Sequence, residues 1–90
     1  MTTNPHIALL GDSILDNARY VDANQAVSDH LSKALPPGTR CSLLAVDGDT
    51  TRNVPTQLKR PPASTTHLVL SVGGNDALGW PRHWIARRLR

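Results

Sequence analysis

The chain of 90 residues has no phenylalanine and a single tyrosine, so any core it builds is aliphatic, made of Val, Leu, Ile and Ala. It has one cysteine, Cys41, which excludes an internal disulfide. Set in an apolar run, Cys41 reads as a buried, inert thiol. No apolar run approaches membrane-spanning length, and residues 1–10 lack the basic region of a secretion signal. The expectation is a cytoplasmic protein with no membrane span. No Gly-x-Gly-x-x-Gly or phosphate-loop pattern occurs, and no His, Cys and Asp residues stand at metal-ligand spacing. Neither a cofactor nor a metal is expected. Acidic residues are few: residues 1–76 hold seven aspartates against six basic side chains, and Arg82, Arg87, Arg88 and Arg90 supply the net charge of +3. Basicity confined to a tail does not mark a nucleic-acid-binding body.

What is present reads as one small α/β unit. Residues 6–10 form a short continuous apolar run closed by Gly11, the pattern of a strand buried on both faces. From about Val21 to Leu35 apolar residues recur at helical spacing, until Pro36-Pro37-Gly38 stops them. Residues 41–46 form a second strand, closed by Asp47-Gly48-Asp49. Thr50 or Thr51 then caps a short helix toward Lys59, with Pro55 in its first turn and Pro61-Pro62 at its end. Residues 67–72 form a third strand, broken by Gly73-Gly74. Strand, helix, strand, helix, strand predicts a parallel sheet with right-handed crossovers.

In such a sheet the strands carry their carboxyl ends to one edge, where open α/β folds build their sites. Gly11-Asp12-Ser13, Asp47-Gly48 and Gly73-Gly74-Asn75-Asp76 each follow a strand, so Ser13, Gly48 and Asn75 are expected at one rim. A serine hydroxyl is a nucleophile once a base takes its proton. Attack on an ester carbonyl creates an oxyanion, which needs donors already in place. Gly48, lacking Cβ, lets its N–H approach a substrate closely, and Asn75 offers a side-chain NH₂.

The three blocks together resemble the SGNH hydrolases, or GDSL esterases and lipases, over residues 5–78. Gly11-Asp12-Ser13-Ile14-Leu15-Asp16 is similar to their first block, Gly48 to the glycine of the second, and Gly73-Gly74-Asn75-Asp76 to the third. The resemblance implies a flavodoxin-like three-layer α/β/α fold with a parallel sheet and hydrolysis of a small-molecule carboxylic ester. It also implies Ser13 as nucleophile, with Gly48 and Asn75 as the oxyanion hole. One block is missing. The family's Asp-x-x-His, source of base and orienting acid, has no counterpart: Asp76, the last aspartate, is followed at that spacing by Gly79. His6 and His67 start their strands, at the opposite edge; His30 lies within the first helix, and His83 in the tail.

The expectation is the N-terminal part of such a domain, residues 1–78, truncated after about three strands and catalytically incomplete. Its third strand is expected to have an open apolar outer edge, which promotes association. Residues 79–90 form a basic Trp/Arg-rich tail of different character, as out-of-frame translation produces. The alternative is a non-catalytic small α/β binding protein whose tail, with Trp84, Ile85, Arg88 and Leu89 on one helical face, meets a membrane or a partner. The sequence sets no oligomeric state.

Overall fold

The computed structural model describes residues 4–78. His6–Gly11 forms β1, apolar and buried along almost its whole length, as a central parallel strand requires. Val27–Ala34 is α1, Arg40–Leu43 β2, Val54–Gln57 α2, His67–Ser71 β3 and Gly74–Leu78 α3. Two 3₁₀ turns, Ala18–Tyr20 and Thr51–Asn53, precede α1 and α2. The strands are parallel in the order β2-β1-β3, with Ile7 opposite Cys41 on one side and His67 on the other. This α/β arrangement has the flavodoxin-like strand order that the sequence led us to expect. Its direction of winding reverses between β1 and β3, the crevice where sheets of this kind bind ligands.

The core forms where β1 meets its helices. Leu9, Leu15 and Ala45 are buried together, and Ile7, Val27 and Leu31 pack against them. Ala8 and Leu10, which alternate with these positions, are fully buried as well. α1 is shorter than its apolar periodicity predicts. Residues 22–25 form a turn, with the Gln25 N–H donating to the Asp22 carbonyl at 3.0 Å, and Asn24 sits at φ 64°. That left-handed residue cannot belong to a helix. The helix starts instead where its first donors find partners: the Ala26 N–H gives to the Asp29 carboxylate (3.1 Å) and the Val27 N–H to Asn17 Oδ1 (2.9 Å). It ends before Pro36, as expected.

β2 also departs from its predicted span. Ladder pairing stops at Leu43, after which the Leu44 and Ala45 N–H groups both donate to the Leu9 carbonyl, each at 2.8 Å. Two residues then share one partner, the signature of a bulge. The offset turns Ala45 into the core and returns the Val46 N–H to the Gly11 carbonyl at 3.1 Å. Cys41, expected to be buried, is half-buried.

The second helical segment begins after Thr50, within the expected pair, but the bond there runs the other way, the Thr50 N–H donating to Asn53 Oδ1 at 2.8 Å, and α2 ends at Gln57 rather than near Lys59. Among the described residues β3 pairs only with β1, and Leu68, Val69 and Leu70 are exposed along it. No described helix is long and apolar enough to cross a membrane. The tail of residues 79–90, including His83, lies outside the described residues.

Candidate active site

Gly11 ends β1 at φ 126°, and a Cβ there would collide with the Ser71 carbonyl of β3. Only glycine allows the two strands to stay this close at their carboxyl ends. Asp12 follows, 3% exposed. Its N–H donates to the Ser71 carbonyl (3.1 Å), its carboxylate accepts the Ile14 N–H (3.0 Å), and its own carbonyl accepts the N–H groups of Leu15 and Asp16. Ser13 is thus held on a turn fixed from both sides. It is half-buried, and its hydroxyl has no hydrogen bond to another described residue.

The loop after β2 is pinned to this turn. Asp16 Oδ2 accepts the Asp47 N–H at 2.7 Å, one residue before Gly48. Gly48 is exposed at φ 93°, with nothing within 4 Å of where a Cβ would stand. Backbone conformation, not crowding, therefore selects glycine there. The Asp47 carboxylate accepts the Tyr20 hydroxyl at 2.7 Å and lies 3.5 Å from the Arg19 guanidinium. That carboxylate acceptor raises the Tyr20 phenol above its ordinary pKa. Asp16, Ala18, Arg19, Val46 and Asp47 line an open cavity of about 390 Å³ beside the first two loops. Neither Ser13, Gly48 nor Asn75 is among its lining residues.

The third loop joins the second. Asn75, half-buried in the first turn of α3, donates from Nδ2 to the Asp49 carbonyl at 2.9 Å. The Asp76 carboxylate accepts both the N–H and the hydroxyl of Thr51, the latter at 2.6 Å. The Thr51 hydroxyl, ahead of every other influence, holds the Asp76 carboxyl below its ordinary pKa. Gln57, in α2, is buried at 4% exposure and bonds both Gly11 and Asp49.

All three motif loops thus stand at the carboxyl edge of the sheet, the second bonded to the first through Asp16 and to the third through Asn75 and Asp76, while Asp12 ties the first to Ser71 at the end of β3. Three residues that tie the loops together were not singled out from the sequence. Asp16 and Asp76 were visible only as members of their blocks. Gln57 had no signal at all, since a lone glutamine between Thr and Leu in a short polar helix reads as a solvated residue.

The described histidines stand elsewhere. His6, at the start of β1, is buried with Nδ1 and Nε2 hydrogen-bonded to the hydroxyls of Ser64 (2.8 Å) and Ser42 (2.7 Å). His67, at the start of β3, meets Thr66 Oγ1, and His30 is exposed on α1. No group of three His, Cys, Asp or Glu residues that could hold a metal exists among the described residues.

No protein-family profile and no curated protein matches the chain. Solved structures do. The crystal structure of AlinE4, described as an SGNH-hydrolase family esterase, superposes with a TM-score of 0.70 at 25% identity, as does that of a point mutant of the same esterase. Each match covers 99% of this chain and 51% of the esterase, so the chain spans about half the length of the structures it matches. In fold and in the order of its loop motifs, this chain resembles the SGNH-hydrolase family.

Proposed function

We propose that the carboxyl rim belongs to a serine ester hydrolase acting on a small-molecule carboxylic ester. Ser13 Oγ attacks the ester carbonyl carbon as its proton passes to a base. The carbonyl oxygen becomes an oxyanion, met by the Gly48 N–H and by an Asn75 N–H. Collapse breaks the bond to the alcohol, which leaves with the proton. Water then attacks the acyl-serine, releases the acid and restores Ser13. A primary amide has two N–H donors, so Asn75 keeps one for the oxyanion while the other anchors it to Asp49. Losing one such donor typically costs ~10²–10³ in rate. In this reading the base lies outside residues 4–78, since none of the histidines among them is at this edge.

The observation that carries the reading is the hydrogen bonding that ties the second loop to both the first and the third at one edge of a sheet shaped like that of an esterase. Its test is prolonged covalent labelling with a fluorophosphonate, read by mass spectrometry. With no base among residues 4–78, Ser13 is expected to react slowly, keeping the ~10³–10⁴ acceleration over water that oxyanion donors and binding alone supply in studied cases. One adduct on Ser13, absent after Ser13→Ala, is expected; no adduct, or one that survives the substitution, refutes the reading. A second reading, a non-catalytic binding protein using this rim, is favoured by the cavity lined by Arg19 and Asp47, which Ser13 does not line. Saturable ester binding that Arg19→Ala weakens and Ser13→Ala spares would support it.

A further inference from the structure

The peptide of Gly11 stands where β2 has left the ladder. Pairing between β1 and β2 ends at Leu9 and Leu43, and the offset segment beyond it returns only the Val46 N–H to the Gly11 carbonyl. The Gly11 N–H therefore has no strand to donate to, and a buried orphan donor is costly. The Gln57 carboxamide takes the place of the missing peptide: Oε1 accepts the Gly11 N–H at 2.7 Å, and Nε2 donates to the Gly11 carbonyl at 2.8 Å. The second Nε2 proton goes to Asp49 Oδ2 at 2.9 Å. These partners fix the orientation of the amide. Reversed, it would set two donors face to face at Gly11 and an oxygen against a carboxylate.

The chain of bonds continues. Asp49, gripped through its carboxylate by Gln57, presents its backbone carbonyl to Asn75 Nδ2. A continuous path then runs from the end of β1 through Gln57 and Asp49 to Asn75, touching all three loops. Donors that stabilise an oxyanion work because they are already oriented when charge develops. We propose that Gln57 is a positioning residue of this site, holding Asn75 in its donor orientation through Asp49. Its catalytic meaning rests on the ester-hydrolase reading; the linkage itself does not.

Two variants of the full 90-residue chain, labelled with ¹⁵N, test it. Gln57→Glu keeps the size and the acceptor for the Gly11 N–H but removes both donors and sets a carboxylate against Asp49. Asp49→Ala leaves the Gln57–Gly11 pair whole and cuts only the link onward. In each, solvent exchange of the Asn75 side-chain amide is expected to quicken roughly tenfold, the scale of one net hydrogen bond. The backbone amides of Ala8 and Leu10, in the centre of β1, should stay protected. An unchanged Asn75 amide in either folded variant overturns the proposal. Should Gln57→Glu fail to fold, Asp49→Ala decides alone. Fluorophosphonate labelling of Ser13 in the unaltered chain separates the two ideas. Coupled exchange with no labelling sinks the hydrolase reading and leaves the linkage standing; labelling with uncoupled exchange does the reverse. Where both hold, Gln57→Glu slows labelling about tenfold, less than loss of the donor itself.

Discussion

The two ends of the sheet are built on opposite plans. At the amino end, His6 is buried with both ring nitrogens bonded to serine hydroxyls, and Thr66 Oγ1 accepts its backbone N–H at 2.9 Å. Both ring nitrogens of that histidine are thus engaged. At the carboxyl end the hydrogen bonds go to the scaffold: the side chains of Asp16, Gln57 and Asp76 and the backbone of Asp12 fasten one segment to another, while the Ser13 hydroxyl has no described partner. A serine–histidine contact in a structure invites a catalytic reading, yet here it lies at the end where a parallel sheet does not build sites. Saturated polar groups specify a fold; a fixed turn that leaves one hydroxyl unengaged prepares a site.

Substitutions at each end would break or sharpen this contrast. The largest effect is expected for Gly11→Ala. It forces a Cβ into the Ser71 carbonyl at a left-handed φ and so costs about 3 kcal/mol or more, read as a lower midpoint in urea unfolding. Unfolding unchanged by that substitution would mean that β1 and β3 are not held together as described. Next comes His6→Leu, which removes both ring contacts, leaving Ser42 without its partner and Ser64 with Arg40 alone, and should cost about 1–3 kcal/mol. Its folded fraction should label at Ser13 as before. Lost labelling in a folded His6→Leu protein would show that the two ends are coupled and dissolve the distinction.

The smallest effect belongs to pH. The folded pKa of Asp76 lies below its ordinary value of 3.8, so between the two values the unfolded chain binds more protons than the folded one. The tie to Thr51 therefore contributes fully above about 3.8 and is lost as pH falls through the folded value. Because the carboxylate faces solvent, the loss is slight. Urea midpoints should drop a little more between about pH 5 and pH 3 in the native chain than in Asp76→Asn. Parallel curves would assign the tie no energetic weight.

Much of the fold was legible beforehand. Continuous apolar runs ending in glycine located β1 and β3 to within a residue, and Pro36 marked the end of α1; α2 stops at Gln57, short of Lys59 and of Pro61. The misses have local causes. Val21 fitted the helical period, but Asn24 turned left-handed and the helix waited for Asp29 and Asn17 to receive its first N–H groups. Val46 fitted the second strand, but two amides competing for one carbonyl offset the chain after Leu43. Of the candidate site, Ser13, Gly48 and Asn75 could be named because each occupies a loop after a strand. Gln57 could not, because its role depends on a gap in the ladder that periodicity does not reveal.

By itself, the sequence determined which residues reach the carboxyl edge. Strand polarity and the alternation of strands with helices follow from short-range patterns of apolar residues, glycine and proline. Only the tertiary structure decided how those residues are held. Asp16 meeting Asp47, Gln57 standing in for a missing strand at Gly11, and Asn75 seated on Asp49 are contacts between segments 26 to 46 positions apart. They form because buried backbone donors must find acceptors wherever the folded chain brings them, and no local pattern specifies that meeting.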